Sequence, residues 1–227
     1  MGVRTSFRRW HIWIGWLAAL PVLFWVISGL IMVWKPIEEV RGSGLLREPT
    51  PVRLLGPPIP PNIAGVALSG LSLEQRAAGP RWVVQLPGRT RLADPLTGLL
   101  VPSYSAGDAT REVLSRYTGD AKITSVSRTD PGHPPIDLRR PIAAWQVNLD
   151  DGTRIYVDAS SGEIVATRTR WWRFYDFMWG LHIMDTQTRE DTHNPLVITF
   201  GAAALAMSLI GAVLLPLTIK RRRKRAS

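Results

Sequence analysis

Residues 10–34, WHIWIGWLAALPVLFWVISGLIMVW, run for 25 positions without a formal charge between Arg8-Arg9 and Lys35. About 20 consecutive apolar residues suffice to cross the hydrocarbon core of a bilayer, so the stretch reads as a membrane-spanning helix. Trp10, Trp13, Trp16 and Trp34 sit near its two ends, where an indole keeps its ring in the headgroup layer and its N–H wet. A second uncharged run, residues 194–219, precedes the basic tail 220–225, KRRRKR. Two spans put both termini on one side of the membrane. Basic residues close to a span stay in the cytoplasm. Arg4, Arg8 and Arg9 flank the first span, six more follow the second, and residues 1–34 and 196–227 hold no Asp or Glu. Both termini are therefore expected in the cytoplasm and residues 35–193 on the opposite side.

The same count disposes of a nucleic-acid reading of the net charge of +10. Outside the two flanks, 19 basic residues face all 18 acidic ones. The charge is a topology signal, whereas nucleic-acid binding needs basic residues gathered on a folded face. A cleaved signal peptide is the competing reading of the N-terminus, but the apolar part exceeds the usual 7–15 residues and Met32-Val33-Trp34 is a poor small-residue cleavage site. An uncleaved signal anchor is expected. Arg8-Arg9 also matches a twin-arginine pair, though a positive-inside flank accounts for it.

Between the spans lie about 160 residues, enough for one mid-sized domain or two small ones. Cysteine is absent, which excludes disulfides, thiolate metal sites, a Cys nucleophile and thioether-attached haem. After Lys35-Pro36 comes a charged exit loosened by Gly42 and Gly44. Residues 49–61 hold six prolines, which forbids helix and predicts a stiff extended spacer leading away from the bilayer.

The next part repeats itself. Residues 82–101 line up with residues 145–165 at an offset of about 63, each copy giving an alternating strand, a tight Gly turn, a second strand, D-x-x-[TS]-G and a short third strand. In the second copy Ala143, Trp145, Val147 and Leu149 share one face at period two, and Asp151-Gly152 is a strong hairpin signal. Ahead of it, residues 107–117 read as a short helix with Asp108 as N-cap and Gly119 as stop, then a strand over 122–126. Ahead of the first hairpin, Ser72 to Gln75 has the spacing of a capping box opening a shorter helix. Asp94 and Asp158 are read as turn caps that bond backbone N–H groups.

Helix, a strand ending in W-x-V, a D-G turn and I-Y-V-D-A-S-S-G-E-I resemble the PepSY module, a small extracytoplasmic α+β unit, closely over residues 106–167 and more weakly over 64–101. Arg9-Trp10-His11-x-Trp13-x-Gly15 and Gly180-Leu181-His182 resemble PepSY-associated transmembrane helices. The fold class expected is thus α+β PepSY-like modules, each a short helix plus antiparallel strands, between two transmembrane α-helices. The segments run 1–9 (cytoplasmic), 10–34 (span), 35–63 (linker), 64–105 (degenerate module), 106–168 (module), 169–193 (interfacial aromatic helix and loop), 194–219 (span) and 220–227 (basic tail). The resemblance implies a bacterial inner-membrane protein with residues 35–193 periplasmic. Larger four-span members of the group are similar to iron-siderophore reductases that hold b-type haem on membrane-embedded histidines.

Residues 171–184 are too short to span and too apolar to float free. Trp171, Phe174, Tyr175, Met178 and Leu181 form one stripe with His182 beside it, as in an aromatic helix lying along the outer leaflet. Of four histidines, His133 lies in a turn-rich loop and His193 precedes Asn194-Pro195, the expected start of the second span. His11 and His182 sit at the edges of apolar helices and are the candidate haem or metal ligands, the alternative being headgroup contact. With 23 residues from His11 to Trp34, ~35 Å separates the two membrane surfaces. One iron shared within a chain is excluded, and bis-histidine haem b then requires a two-fold homodimer. Small residues at Ala204, Ser208 and Ala212, and at Gly15 and Ala19, have the spacing that brings spans together, within one chain or between two.

No G-x-S-x-G, H-E-x-x-H, Walker loop or G-x-G-x-x-G after a strand is present, so hydrolase and nucleotide chemistry lack support. Two functions remain: a bilayer-anchored binding or regulatory accessory, linked by the resemblance to iron or siderophore handling, and a haem-b electron carrier serving a membrane redox or siderophore-uptake partner.

Overall fold

The computed structural model describes residues 3–63 and 65–226, with side chains described for residues 6, 8–63 and 65–216. Arg4 and the tail cations at 220–225 fall outside the described side chains, as does Ala64, the first residue of the expected first module. The chain divides into two compact units, one made of the residues up to Lys35 together with those from Phe174 onward, the other of Pro36–Arg173.

The first unit contains helix α1, Val3–Trp34, and helix α5, Pro195–Ala226. On α1, residues 11, 14–15, 18, 21–22, 25, 28–29 and 31–32 are partly or fully buried and the residues between them are exposed. The alternating steps of four and three are the 3.5-residue repeat of paired helices. On α5 the matching positions are 200, 204, 207, 211 and 214. The pair is antiparallel, with Gly15 against the Met207 side chain and Gly211 against His11. Small residues let these backbones approach. The small-residue stripe splits accordingly: Gly15 and Ala204 lie on the seam, whereas Ala19, Ser208 and Ala212 face outward.

Outside the seam both helices present large apolar side chains to their surroundings, among them Trp16, Leu17, Val33, Leu205 and Leu209. Arg8–Trp34 and Pro195–Pro216, 27 and 22 residues long, are long and apolar enough to span. Only 11% of the first apolar window and 0% of the second is buried. A core helix of a water-soluble domain buries its apolar surface, so this pair needs lipid around it. Asn194 caps α5, its Oδ1 accepting the Val197 N–H at 3.1 Å, with Pro195 in the first helical position.

The second unit is built from the sequence repeat. Strands β1 Gly70–Arg76, β2 Gly79–Leu86, β3 Arg89–Ala93 and β4 Leu100–Val101 form an antiparallel sheet in the order β1-β2-β3-β4. Strands β5 Ile123–Arg128, β6 Ala144–Leu149, β7 Arg154–Asp158 and β8 Ile164–Arg168 repeat that order in a second sheet. Helix α3, Ala106–Arg116, lies between them in sequence. Val83 and Leu92 of the first sheet share one core with Val147, Leu149, Ile155 and Val157 of the second and with Ala109 and Val113 of α3. The period-two face expected on β6 is the one that enters this core. Its opposite face is covered too: Ala144, Tyr156 and Ala166 pack with Leu138 from the 129–142 loop.

Four local expectations are corrected. Ser72–Gln75 opens no helix but lies in β1, whose Leu71 and Leu73 pair with Val84 and Trp82. The Ser72 hydroxyl donates to Glu74 at 2.7 Å instead of capping a turn. Tertiary strand pairing overrides the local capping pattern. Helix α3 is capped by Ser105, not Asp108: Ser105 is extended and accepts from the Asp108 N–H, while the Asp108 carboxylate returns to the Ser105 N–H at 2.9 Å. The box therefore starts three residues earlier. The same helix stops at Tyr117 rather than Gly119, because Leu46 bridges Tyr117 and Arg47 donates to the Arg116 carbonyl, drawing the chain into extended pairing. The residues expected as a spacer leading away are docked at their far end. Ile59 and Asn62 donate to Pro95 and Gly98 of the first module's turn, and the Trp82 indole donates to the Ile59 carbonyl.

Nearer the first span, Ile37–Arg41 forms the short helix α2, closed by Gly42 at φ 67° and followed by a 3₁₀ turn over Ser43–Leu45.

Candidate functional site

The histidines singled out in the sequence occupy two places on the helical unit. Helix α4, Arg170–His182, begins under a Thr169 cap that accepts the Trp172 N–H at 2.9 Å. It ends at His182, whose ring lies 5.5 Å from the Trp25 ring at a 35° tilt. The ring packs against α1 at Gly29, where a Cβ would stand 3.4 Å from His182 Cε1.

The hydrogen bonds around His182 determine its tautomer. Its Nδ1 lies 3.2 Å from the Trp25 carbonyl oxygen, which can only accept. Ser28 donates its own hydroxyl proton to that same carbonyl at 3.0 Å, so at 3.0 Å from Nδ1 its oxygen is the acceptor. Both contacts require the proton on Nδ1, leaving the lone pair of the neutral ring on Nε2.

The loop after α4 holds its end in place. Gly180 admits no side chain: a Cβ would meet Arg189 Cγ at 2.8 Å and the Asp185 carbonyl at 2.9 Å. Arg189 crosses back to the buried carboxylate of Asp176 at 2.7 Å, and the Trp179 indole donates to the Arg189 carbonyl at 3.1 Å. Asp185 gathers the Thr188 hydroxyl and the N–H groups of Gln187, Thr188, Glu190 and Asp191. Led by the Thr188 hydroxyl, these donors hold its carboxyl well below the usual range. None of this was read from the sequence, although Gly180 beside His182 was the signal that could have pointed to it.

His11 sits elsewhere. Its Nδ1 is buried without a hydrogen-bond partner among the described residues, and its Cε1 would lie 3.5 Å from a Cβ at Gly211. His182 meets α1 at Ser28 and Gly29, 17 residues beyond His11, so the two rings are about 26 Å apart along the helix. That is less than the full span expected, because His182 reaches about 9 Å inward of Trp34. The structure does not bring the two together. His133 is 91% exposed and pairs with Asp130 at 3.0 Å, and His193 is exposed. No group of three or more metal-ligating side chains occurs among the described residues.

The repeated aspartates act as turn caps. Asp94 Oδ1 accepts the N–H groups of Leu96 and Thr97, and Asp158 Oδ1 those of Ser160 and Ser161. Buried Asp137 takes the Tyr156 hydroxyl at 2.7 Å and Arg154 at 3.1 Å. Glu112 accepts the Ala77 N–H at 2.8 Å.

Two lipid-requiring helices on either side of a duplicated α+β unit define a membrane protein with a folded domain between its spans. The chain belongs to the family of the PepSY-associated TM region, whose model matches residues 8–227. No curated protein and no solved structure matches it.

Proposed function

We propose that this chain is an inner-membrane anchor carrying its α+β unit in the bacterial periplasm, where it acts as a binding or regulatory accessory in iron or siderophore handling. The observation that carries the reading is the engagement of the unit's ordered carboxylates in the fold itself. Asp94 and Asp158 cap turns, Asp137 ties Tyr156 and Arg154, and Glu112 holds a strand connection. Such a unit offers surfaces to a partner rather than groups poised for chemistry. The basic flanks of the two spans support the orientation, and the bacterial setting and the link to iron are what the PepSY resemblance suggests.

A second reading, electron transfer through haem b, has one observation in its favour. A metal-binding imidazole usually donates its other ring N–H to a carbonyl or carboxylate, which orients the ring and fixes the tautomer. His182 is held that way by Trp25 and Ser28. Its Nε2 suits an axial ligand, and a haem would supply one-electron chemistry there. His11, about 26 Å away along α1, cannot complete the same iron in one chain. A two-fold homodimer, with His182 paired to His182 and His11 to His11, would be needed.

A visible spectrum of the full chain purified in mild detergent decides between them. The accessory reading expects no stoichiometric Soret band. A reducible haem spectrum that is lost in His182→Ala and kept in His133→Ala overturns it in favour of the second.

A further inference from the structure

We propose that Arg154, Arg170 and Arg173 form a binding site for the phosphodiester headgroup of an anionic phospholipid. This goes beyond the accessory reading and does not depend on whether haem is bound. The three side chains gather at the turn between β6 and β7. The stem of Arg170 lies over Gly152, where a Cβ would stand 2.9 Å from its Cγ and 3.3 Å from its Nε. Arg173 donates from Nη2 to the Gly152 carbonyl at 2.7 Å and from Nη1 to the Arg168 carbonyl at 3.0 Å. Arg154, two residues beyond Gly152, pairs with Asp137 at 3.1 Å.

Positive charge is left over at this turn. Buried Asp137 faces the cluster, but one of its oxygens accepts the Tyr156 hydroxyl at 2.7 Å and the other takes Arg154. Asp150 and Asp151 of the same turn are engaged locally, the first by the Lys122 N–H and the second by the N–H and hydroxyl of Thr153. Arg170 and Arg173 make no ion pair among the described residues. Partial burial, with the charges of Arg154 and Arg170 nearby, lowers the Arg173 pKa. Crowded cations of this kind are relieved by an anion, and a guanidinium presents paired N–H groups that match phosphate oxygens.

The place of the cluster selects a lipid. Arg170 and Arg173 lie in the first turn of α4, and the next residue, Phe174, belongs to the unit of the two spans. Positions 170, 173, 174 and 177 recur at i, i+3, i+4 and i+7 and so share one face of the helix. Phe174 and Phe177 are exposed on that face. Cations on headgroups with aromatic rings set into the acyl boundary are the pattern of helices that bind anionic bilayers. A free phosphate would meet the arginines and leave both rings in water.

The test uses the full chain in mild detergent, with native mass spectrometry reading how much phosphatidylglycerol or phosphatidylcholine stays bound as each is titrated. The wild type should hold phosphatidylglycerol several-fold more tightly. Arg170→Gln and Arg173→Gln should each weaken phosphatidylglycerol about fivefold, the contribution of one basic residue at an anionic surface, and leave phosphatidylcholine unchanged. Because Arg173 also ties two carbonyls, Arg170→Glu serves where Arg173→Gln does not fold, and it should abolish the preference. Arg89→Gln with Arg91→Gln, which removes two exposed cations from β3 of the same unit, should change nothing. Equal retention of the two lipids overturns the proposal, as does an equal loss in the Arg89 and Arg91 control. Displacement of the lipid by an equal concentration of inorganic phosphate would assign the site to a free anion, and displacement by hexaglutamate to an acidic protein segment; either result overturns it. None of these arginines enters the spectroscopic test, so a haem-free chain that fails here loses the headgroup site and keeps its accessory role.

Discussion

Gly162 shows how much one position can carry. It follows Ser161 in the second D-x-x-[TS]-G turn, adopts φ +68°, and lies so close to Tyr104 that a Cβ would stand 2.3 Å from the ring. Tyr104 is itself buried beside the shared core, which with the nearby Glu112 carboxylate pushes its phenol up to about 12. The ring cannot swing away as a surface side chain would. Gly162→Ala therefore combines left-handed strain with overpacking, about 2–5 kcal/mol together. Gly88 is the control, at φ +74° with nothing within 4 Å of its Cβ position, so Gly88→Ala should cost only the strain, about 1–2 kcal/mol. Tryptophan-fluorescence unfolding curves of the two variants in detergent check this. Equal shifts in midpoint would show that the Tyr104 contact contributes nothing. The turn itself was legible, since Asp and Gly at that spacing satisfy local backbone needs. The contact was not, because Tyr104 is brought to Gly162 from 58 residues away by a fold that no local pattern encodes.

Elements were legible where one periodicity ran unopposed and were misread where two local signals competed. The alternation in residues 145–149 and the repeat at 82–101 both became strands of the expected meander. Ser72 to Gln75 carried a capping-box spacing and an apolar alternation at once, and only pairing with β2 decides for the strand. The spans show the same limit. Their existence follows from length and lack of charge, but which small residues face the partner helix depends on helix rotation, which the sequence leaves open between one chain and two. In the structure Gly15 meets Met207 on the seam and Ser208 faces outward. Cysteines placed together at 15 and 207 in this cysteine-free chain should join within one chain on oxidation, giving a compact monomer band at any dilution. Crosslinking only between chains would contradict the antiparallel seam. Ser208→Cys, compared with Leu205→Cys, reads the outward face separately. A dimer selective for 208 supports the paired-histidine arrangement, and none above the 205 level removes it.

At the scale of the whole molecule, the proposed orientation rests on electrostatics distributed over both ends. Three arginines precede the first span, six basic residues follow the second, and no acid lies within either terminal segment. Basic residues near a span are retained in the cytoplasm. The two flanks act in the same direction because an even number of spans returns the chain to its starting side. The intervening residues are close to charge balance, so they add no opposing bias. Leu55, 97% exposed, reports on the unit between the spans, and exposed Ser6 reports on the N-terminal flank. With single cysteines at these positions and a membrane-impermeant maleimide, Leu55→Cys should label in cells whose outer membrane alone is permeabilised. Ser6→Cys should label only after the inner membrane is broken. Replacing Arg8 and Arg9 with glutamine should leave this pattern intact, because the six tail cations still act on the second span. Removing both flanks should produce a mixed population. Labelling of Ser6→Cys in unbroken cells, with Leu55→Cys protected, would reverse the orientation and place the unit between the spans on the cytoplasmic side.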